Sequence, residues 1–153
     1  MNNQPLKRHK ALQTLSREHH DSLVFVLRLQ KGVAKKASIE EMNDYIQWYW
    51  DVHLKAHFQM EETHLLPKLD SDDILAKKVQ SDHKFITELI HQHPKSYDSI
   101  TQLYKTLKSH IRFEEREFFM FIQKFLTEEQ LEEFANVHKR QIDCGLWVNR
   151  FWE

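Results

Sequence analysis

His57-Phe-Gln-Met-Glu61-Glu62 and, further along, His110-Ile-Arg-Phe-Glu114-Glu115 are one phrase written twice. On an α-helix, residues four apart share a face about one turn from each other. A His and a Glu at i and i+4 can therefore aim an imidazole nitrogen and a carboxylate oxygen at one metal ion. Two such pairs on facing helices can hold two ions side by side. Each half has a further His upstream, in Glu18-His19-His20-Asp21 and in Asp82-His83-Lys84. The chain thus reads as two copies of His…His-x3-Glu, the pattern of a dinuclear metal site.

Composition permits such a site and disfavours several rivals. A chain of 153 residues is most simply one domain with room for a sizeable core. Hydrophobic residues at 41% and charged residues at 29% are ordinary for a globular protein. Two glycines and three prolines argue against a turn-rich β architecture and for long helices. The 22 basic and 23 acidic residues nearly cancel, so no strong field draws nucleic acid or an anionic membrane. Cys144 is the sole cysteine, which rules out an internal disulfide framework and cysteine-rich zinc sites. The opening Met-Asn-Asn-Gln-Pro does not read as a signal peptide, and no apolar run approaches the length of a membrane span. A cytoplasmic protein is the expectation.

Punctuation divides the chain into five helical stretches. Pro5 suits a helix start, followed by Leu12, Leu15, Leu23, Val26 and Val33 at helical spacing. Ser38-Ile-Glu-Glu41 predicts a capping box opening a second helix over about residues 39–66. Asp70-Ser71 can cap a third over about 72–92, which stops at His93-Pro94. A fourth covers about 96–126, and Thr127-Glu-Glu-Gln130 caps a fifth over about 128–147. The connections are short, so the expected fold is all-α: an up-down-up-down four-helix bundle over about 5–126, with the C-terminal helix on its outside or over one end.

Metal ligands must lie on the buried seam, which selects among the histidines at 100° per residue. The second-helix stripe is Ile46, Trp50, Leu54, His57, Glu61 and Leu65; the fourth is Leu103, Leu107, His110, Glu114, Phe118, Phe121 and Phe125. His83 lies between Val79 and Ile86–Ile90. In the first helix, Leu12, Leu15, Leu23 and Val26 all fall within about 40° of His19, whereas His20 drifts to the edge, so His19 is favoured. The candidate metal ligands are therefore His19, His57, Glu61, His83, His110 and Glu114. A charged Glu in an apolar seam is costly unless it is paired or bound to a cation. Imidazoles with carboxylates suit iron, and zinc and manganese fit the same donor types. Glu61 and Glu114, with two oxygens each, could span two ions.

These residues resemble the hemerythrin-like, or His-His-Glu cation-binding, family. The marks are Leu-Ser-Arg-Glu-His19-His-Asp, His57-Phe-Gln-Met-Glu61-Glu-Thr-His-Leu-Leu-Pro-Lys-Leu, Asp-His83 and His110-Ile-Arg-Phe-Glu114-Glu, and the likeness runs from about residue 12 to 126. The resemblance implies a four-helix bundle around two iron ions bridged by carboxylates and an oxo or hydroxo group. It also implies a small-molecule ligand such as dioxygen, peroxide or nitric oxide. Two departures set the chain apart from the oxygen carriers. Their second third-helix His is replaced by Thr87, and their last carboxylate, an Asp one position later, is replaced by Glu114. One turn beyond His83, Thr87 is a poor iron ligand, so an open position on one iron is expected.

The leading functional expectation is a protein binding or sensing dioxygen or a related small oxidant. The alternative is a di-iron enzyme turning over peroxide, nitric oxide or oxygen, or a role in iron storage or iron–sulfur repair. A third reading is a structural bundle with an incidental metal. Among the remaining residues, His53 and His64 lie near the inward stripe as minor candidates, while His9, His91, His93 and His138 read as exposed. Glu62, Glu115 and Glu117 could brace ligand imidazoles, with exposed surface charge the stronger reading for Glu62 and Glu115. Glu117 or His64 could donate a proton to a bound oxidant. Trp48, Tyr49 and Trp50 read as plain core more than as a gate, and Cys144 as an inert thiol. The Trp147–Trp152 tail is expected either to pack on the bundle or to form a homodimer contact.

Overall fold

Seven α-helices follow one another in the computed structural model, which describes residues 7–138 and 147–153. A single 3-10 turn, Lys10–Leu12, opens into α1, Gln13–Ala34. Then come α2, Ile39–Tyr49, and α3, Lys55–His64, joined without a break by a π-helical turn at Trp50–Leu54. α4 is Ile74–His91. α5, Tyr97–Phe113, and α6, Phe119–Phe125, are likewise joined by a π turn, Glu114–Phe118. α7 is Glu128–Val137. No strand occurs among the described residues, and no helix is long and apolar enough to cross a membrane. The expected helix start at Pro5 and the Cys144-Gly145 stop lie outside the described residues.

Local chemistry accounts for most boundaries. The Ser38 hydroxyl accepts from the Glu41 amide at the head of α2, and Ser96 and Thr127 form full capping boxes with Ser99 and Gln130. α4 begins later than the Asp70-Ser71 expectation, because the Asp73 carboxylate accepts from the Ala76 amide and is the effective cap. Buried Lys95 closes the other end of α4 by donating to the carbonyls of Ile90 and Gln92. α7 ends at Val137, and most of the expected span from there to about 147 lies outside the described residues.

The interior has two apolar clusters. One gathers Phe25, Met42, Tyr45, Ile46, Trp50, Phe58, Ile86 and Leu103. The other gathers Leu12, Leu15, Val79, Phe113, Phe118, Phe119 and Ile122, with Leu131 and Phe134 of α7. The tail packs on its own chain: Trp147, Phe151 and Trp152 surround Tyr45 with ring centroids 5.3 to 5.6 Å away. Gly32 makes room for it, since a Cβ there would lie 2.7 Å from Met42 Sδ and 2.8 Å from the Phe151 ring.

The fourth stripe departs from the even 100° count. Phe125 is exposed and Phe121 only partly buried, whereas Phe119, Ile122 and Leu126 are buried. The π turn at Glu114–Phe118 inserts one residue into the helical ladder, so every inward position beyond it moves by one. Leu23 of α1 is also exposed, its expected place on the seam being taken by Ser22.

Candidate metal centre

Four rods deliver the candidate ligands. His19 comes from α1, His57 and Glu61 from α3, His83 from α4, and His110 and Glu114 from the end of α5 and the π turn that follows. All six are buried, and Glu61 and Glu114 are fully so. His20, the neighbour of His19, faces solvent. The six converge on two overlapping groups: His19, His57, Glu61 and Glu114, and Glu61, His83, His110 and Glu114. Within each group the donor atoms lie within 4.8 Å of one another. Glu61 and Glu114 belong to both.

The contacts follow the same sharing. His19 Nε2 lies 3.0 Å from Glu114 Oε1, and His110 Nε2 lies 3.0 Å from the same oxygen. His83 Nε2 lies 3.2 Å and His57 Nε2 3.5 Å from Glu61 Oε1. Each carboxylate thus touches one imidazole of each group. His57, His83 and His110 Nε2, both Glu61 oxygens and Glu114 Oε2 have no hydrogen-bond partner among the described residues. Orphaned buried polar atoms are costly, and a group of convergent lone pairs is satisfied by a cation. These residues therefore fit a pair of divalent ions with mixed imidazole and carboxylate coordination.

Each imidazole is turned inward by a carboxylate at its other nitrogen. His57 Nδ1 lies 2.8 Å from Glu18, His83 Nδ1 3.1 Å from Glu62, His110 Nδ1 2.9 Å from Asp82 and His19 Nδ1 3.2 Å from Glu115. The four pairs close a ring: α1 holds the α3 imidazole, α3 that of α4, α4 that of α5, and the turn after α5 that of α1. A proton kept on Nδ1 leaves the Nε2 lone pair for a metal. The signal was present in the sequence, since each bracing carboxylate adjoins a ligand: Glu18–His19, Glu61–Glu62, Asp82–His83 and Glu114–Glu115. Glu62 and Glu115 are accordingly braces and not merely surface charge. Helical spacing alone does not single out Glu18 and Asp82, because each faces a different helix from the ligand beside it in sequence. Glu117 is exposed and touches no ligand.

Aromatic rings seal the imidazoles. Phe58 stacks on His83 with centroids 3.8 Å apart, and Phe119 lies parallel to His19 at 5.3 Å. Beside His57 is a polar chamber of about 20 Å³ lined by Glu18, Asp21, Ser22, Tyr49, His53, Leu54 and His57. The Tyr49 and Ser22 hydroxyls bond across it at 2.8 Å. His53 therefore reaches the chamber but not the cluster, and Tyr49 is a chamber wall. His64 lies apart, in a groove with Pro67 and Val137. His91 and His93 are exposed, whereas His9 caps the first turn and bonds Glu128. His138 is buried, against expectation, with its Nε2 3.2 and 3.3 Å from the two Glu18 oxygens. Thr87 is turned away from the role an imidazole would have, its hydroxyl donating to the His83 carbonyl at 2.7 Å.

Without a bound cation the six groups divide sharply in charge. Burial, reinforced by repulsion from Glu114, pushes Glu61 well above the carboxylate range. Burial also pushes Glu114 upward, but His110 and His19 outweigh it and hold Glu114 well below that range. His110, despite burial, is raised to about 9 by Glu114 and Asp82, and His19 is raised by Glu114 and Glu115. Burial dominates at His57 and His83, which are lowered. Burial raises Glu18, yet the bonds from His138 and His57 bring it down to about 2.

A family model described as the hemerythrin HHE cation binding domain matches residues 10–122. No curated protein and no solved structure matches the chain.

Proposed function

The chain belongs to the hemerythrin HHE cation-binding family, and from that premise we propose that it is a di-iron protein that binds or senses dioxygen or a related small oxidant, peroxide or nitric oxide. The observation that carries this reading is the pair of four-donor groups sharing Glu61 and Glu114. In this reading His19 and His57 serve one ion, His83 and His110 the other, and the two carboxylates span both. Bound there, iron would supply the redox chemistry. Short connections make the four ligand-bearing rods antiparallel neighbours in one up-down-up-down domain, in a cytoplasmic setting.

The protein's part is orientation, exclusion and access. Glu18, Glu62, Asp82 and Glu115 keep the imidazoles in one tautomer. Phe58 and Phe119 keep bulk water off the ring faces. The chamber beside His57 has space for one water-sized molecule, which suits a diatomic or peroxide ligand and no larger substrate. Metal analysis, with optical spectra of protein reduced without air and then aerated, tests the reading. About two irons per chain and an absorption change on aeration are expected. Protein purified with neither iron nor a ligand-sensitive spectrum after reconstitution would end it.

A second reading, an enzyme consuming peroxide or nitric oxide, draws on the chamber's polar walls. The Tyr49 hydroxyl stands where the exposed Glu117 and the distant His64 do not, as a proton donor beside the cluster. Sustained peroxide consumption that falls in Tyr49→Phe would favour it over binding alone.

A further inference from the structure

α7 lies beyond the segment matched by the family model, which ends at residue 122, yet its capping residue His138 reaches a brace of the His/Glu cluster. Leu131 and Phe134 dock the helix on the apolar cluster around Leu12 and Phe119. That burial is enough to seat a short amphipathic helix. His138, at its C-terminal end, adds something apolar packing does not require: a buried imidazole aimed at a carboxylate. Its Nε2 straddles the Glu18 oxygens at 3.2 and 3.3 Å. Its Nδ1 has no partner among the described residues, so the Nε2–H is the donor to Glu18.

Glu18 is therefore shared. Its Oε1 accepts from His57 Nδ1 at 2.8 Å while its Oε2 accepts from His138 Nε2 at 3.3 Å. Of the other braces, Glu115 accepts from Ser16 of α1 with Arg8 4.0 Å away, and Asp82 accepts from Lys78 of its own helix. Glu18 is held by His138, at the end of a helix that carries no candidate ligand. A carboxylate fixed at both ends cannot swing with its rotamers, so the imidazole it holds is fixed as well.

We propose that His138 is a positioning residue for the metal centre, acting through Glu18 to hold His57 in register for one of the two ions. The inference rests on the di-iron reading above. Losing His138 should weaken the ion served by His19 and His57 by about tenfold and leave the His83–His110 ion near normal, in line with the usual cost of removing an outer partner of a ligating histidine.

The test uses the full chain and ferrous iron alone, titrated without air against a competing chelator. His138→Leu keeps the apolar seat and removes the donor; His138→Gln keeps an amide donor and should restore affinity. Leu131→Ala is the control for damage to α7 itself, and should lower the melting temperature without singling out one ion. Mössbauer spectra report the two irons separately, and only one doublet should change in His138→Leu. Nitrogen NMR of the His57 ring in chelated protein gives a reading independent of loading: the Nδ1–H tautomer should lose population in His138→Leu and regain it in His138→Gln. Should His138→Leu not fold, His138→Phe carries the same comparison. Wild-type protein that takes up no iron pair overturns the di-iron reading. Wild type that loads two ions, with His138→Leu matching it in affinity, doublets and tautomer, overturns the positioning role alone.

Discussion

The two His-x3-Glu copies share their ligand pattern and differ in charge: the first pair is neutral, the second an ion pair. Glu114 accepts a hydrogen bond from His19, faces His110 at 3.0 Å and is held deprotonated. Glu61 sits in the same kind of seam, has no hydrogen-bond partner among the described residues and is pushed toward the protonated acid. His110 is correspondingly raised while His57 is lowered. The helix supplies the i, i+4 geometry in both copies, but the neighbours across the bundle differ. Buried carboxylates near each other cannot both ionise without compensating cations, so one takes the charge and the other the proton. A cation held by each of the two four-donor groups would reduce the difference, since Glu61 and Glu114 belong to both groups.

The largest effect should come from deleting either bridge. Glu61→Ala and Glu114→Ala should each lose both ions, because each carboxylate belongs to both four-donor groups; metal analysis reads this directly. Full iron loading of the Glu61→Ala, Glu114→Ala double variant would break the assignment.

The amide substitutions sharpen the asymmetry. In chelated protein Glu61→Gln replaces a neutral acid by a neutral amide and should change stability by less than about 1 kcal/mol. Glu114→Gln strands the His110 and His19 cations in a buried seam and should cost about 3–5 kcal/mol. Urea unfolding of the two variants side by side decides it, and equal losses would mean the two carboxylates share their charge evenly.

The helical registers differ next. Only the second copy carries its π turn at the ligand itself, shifting the later stripe to Ile122 and Leu126. Ile122→Ala should cost about 2–5 kcal/mol, whereas Phe125→Ser should stay within about 0.5 kcal/mol. Comparable losses at the two positions would restore the unshifted register.

The smallest effect is a pH trend. His110, raised to about 9, stabilises chelated protein fully below its ordinary value near 6.5, and that contribution is lost as pH rises toward 9. Glu61, also raised, is lost in the same direction, while Glu18, lowered to about 2, gives stability present above 4.5 and lost as pH falls below it. Metal competes with the protons on His110 and Glu61, so loaded protein should gain where chelated protein fades. The melting-temperature gap between loaded and chelated forms should widen by a few degrees from pH 6.5 to 9. A constant gap would contradict the charge division.

The all-helical fold, most helix boundaries and the six candidate ligands were legible in the sequence because helical geometry is local: periodicity puts His57 above Glu61 whatever surrounds them. The choice of His19 over His20 came from the same count, and the structure buries the one and exposes the other. The stripe beyond Glu114 was misread for a local reason too, since a π turn has no clear residue signature and displaces an even count by one.

What only the tertiary structure decided is relational. The order in which Glu18, Glu62, Asp82 and Glu115 brace the imidazoles depends on which rod stands beside which, and adjacency in sequence does not say so. The burial of His138, the chamber at Tyr49 and the unequal protonation of Glu61 and Glu114 arise from contacts between residues far apart in the chain. Spacing along a helix specifies which side chains share a face, and it says nothing of the field they meet, which comes from burial and from charges on neighbouring helices.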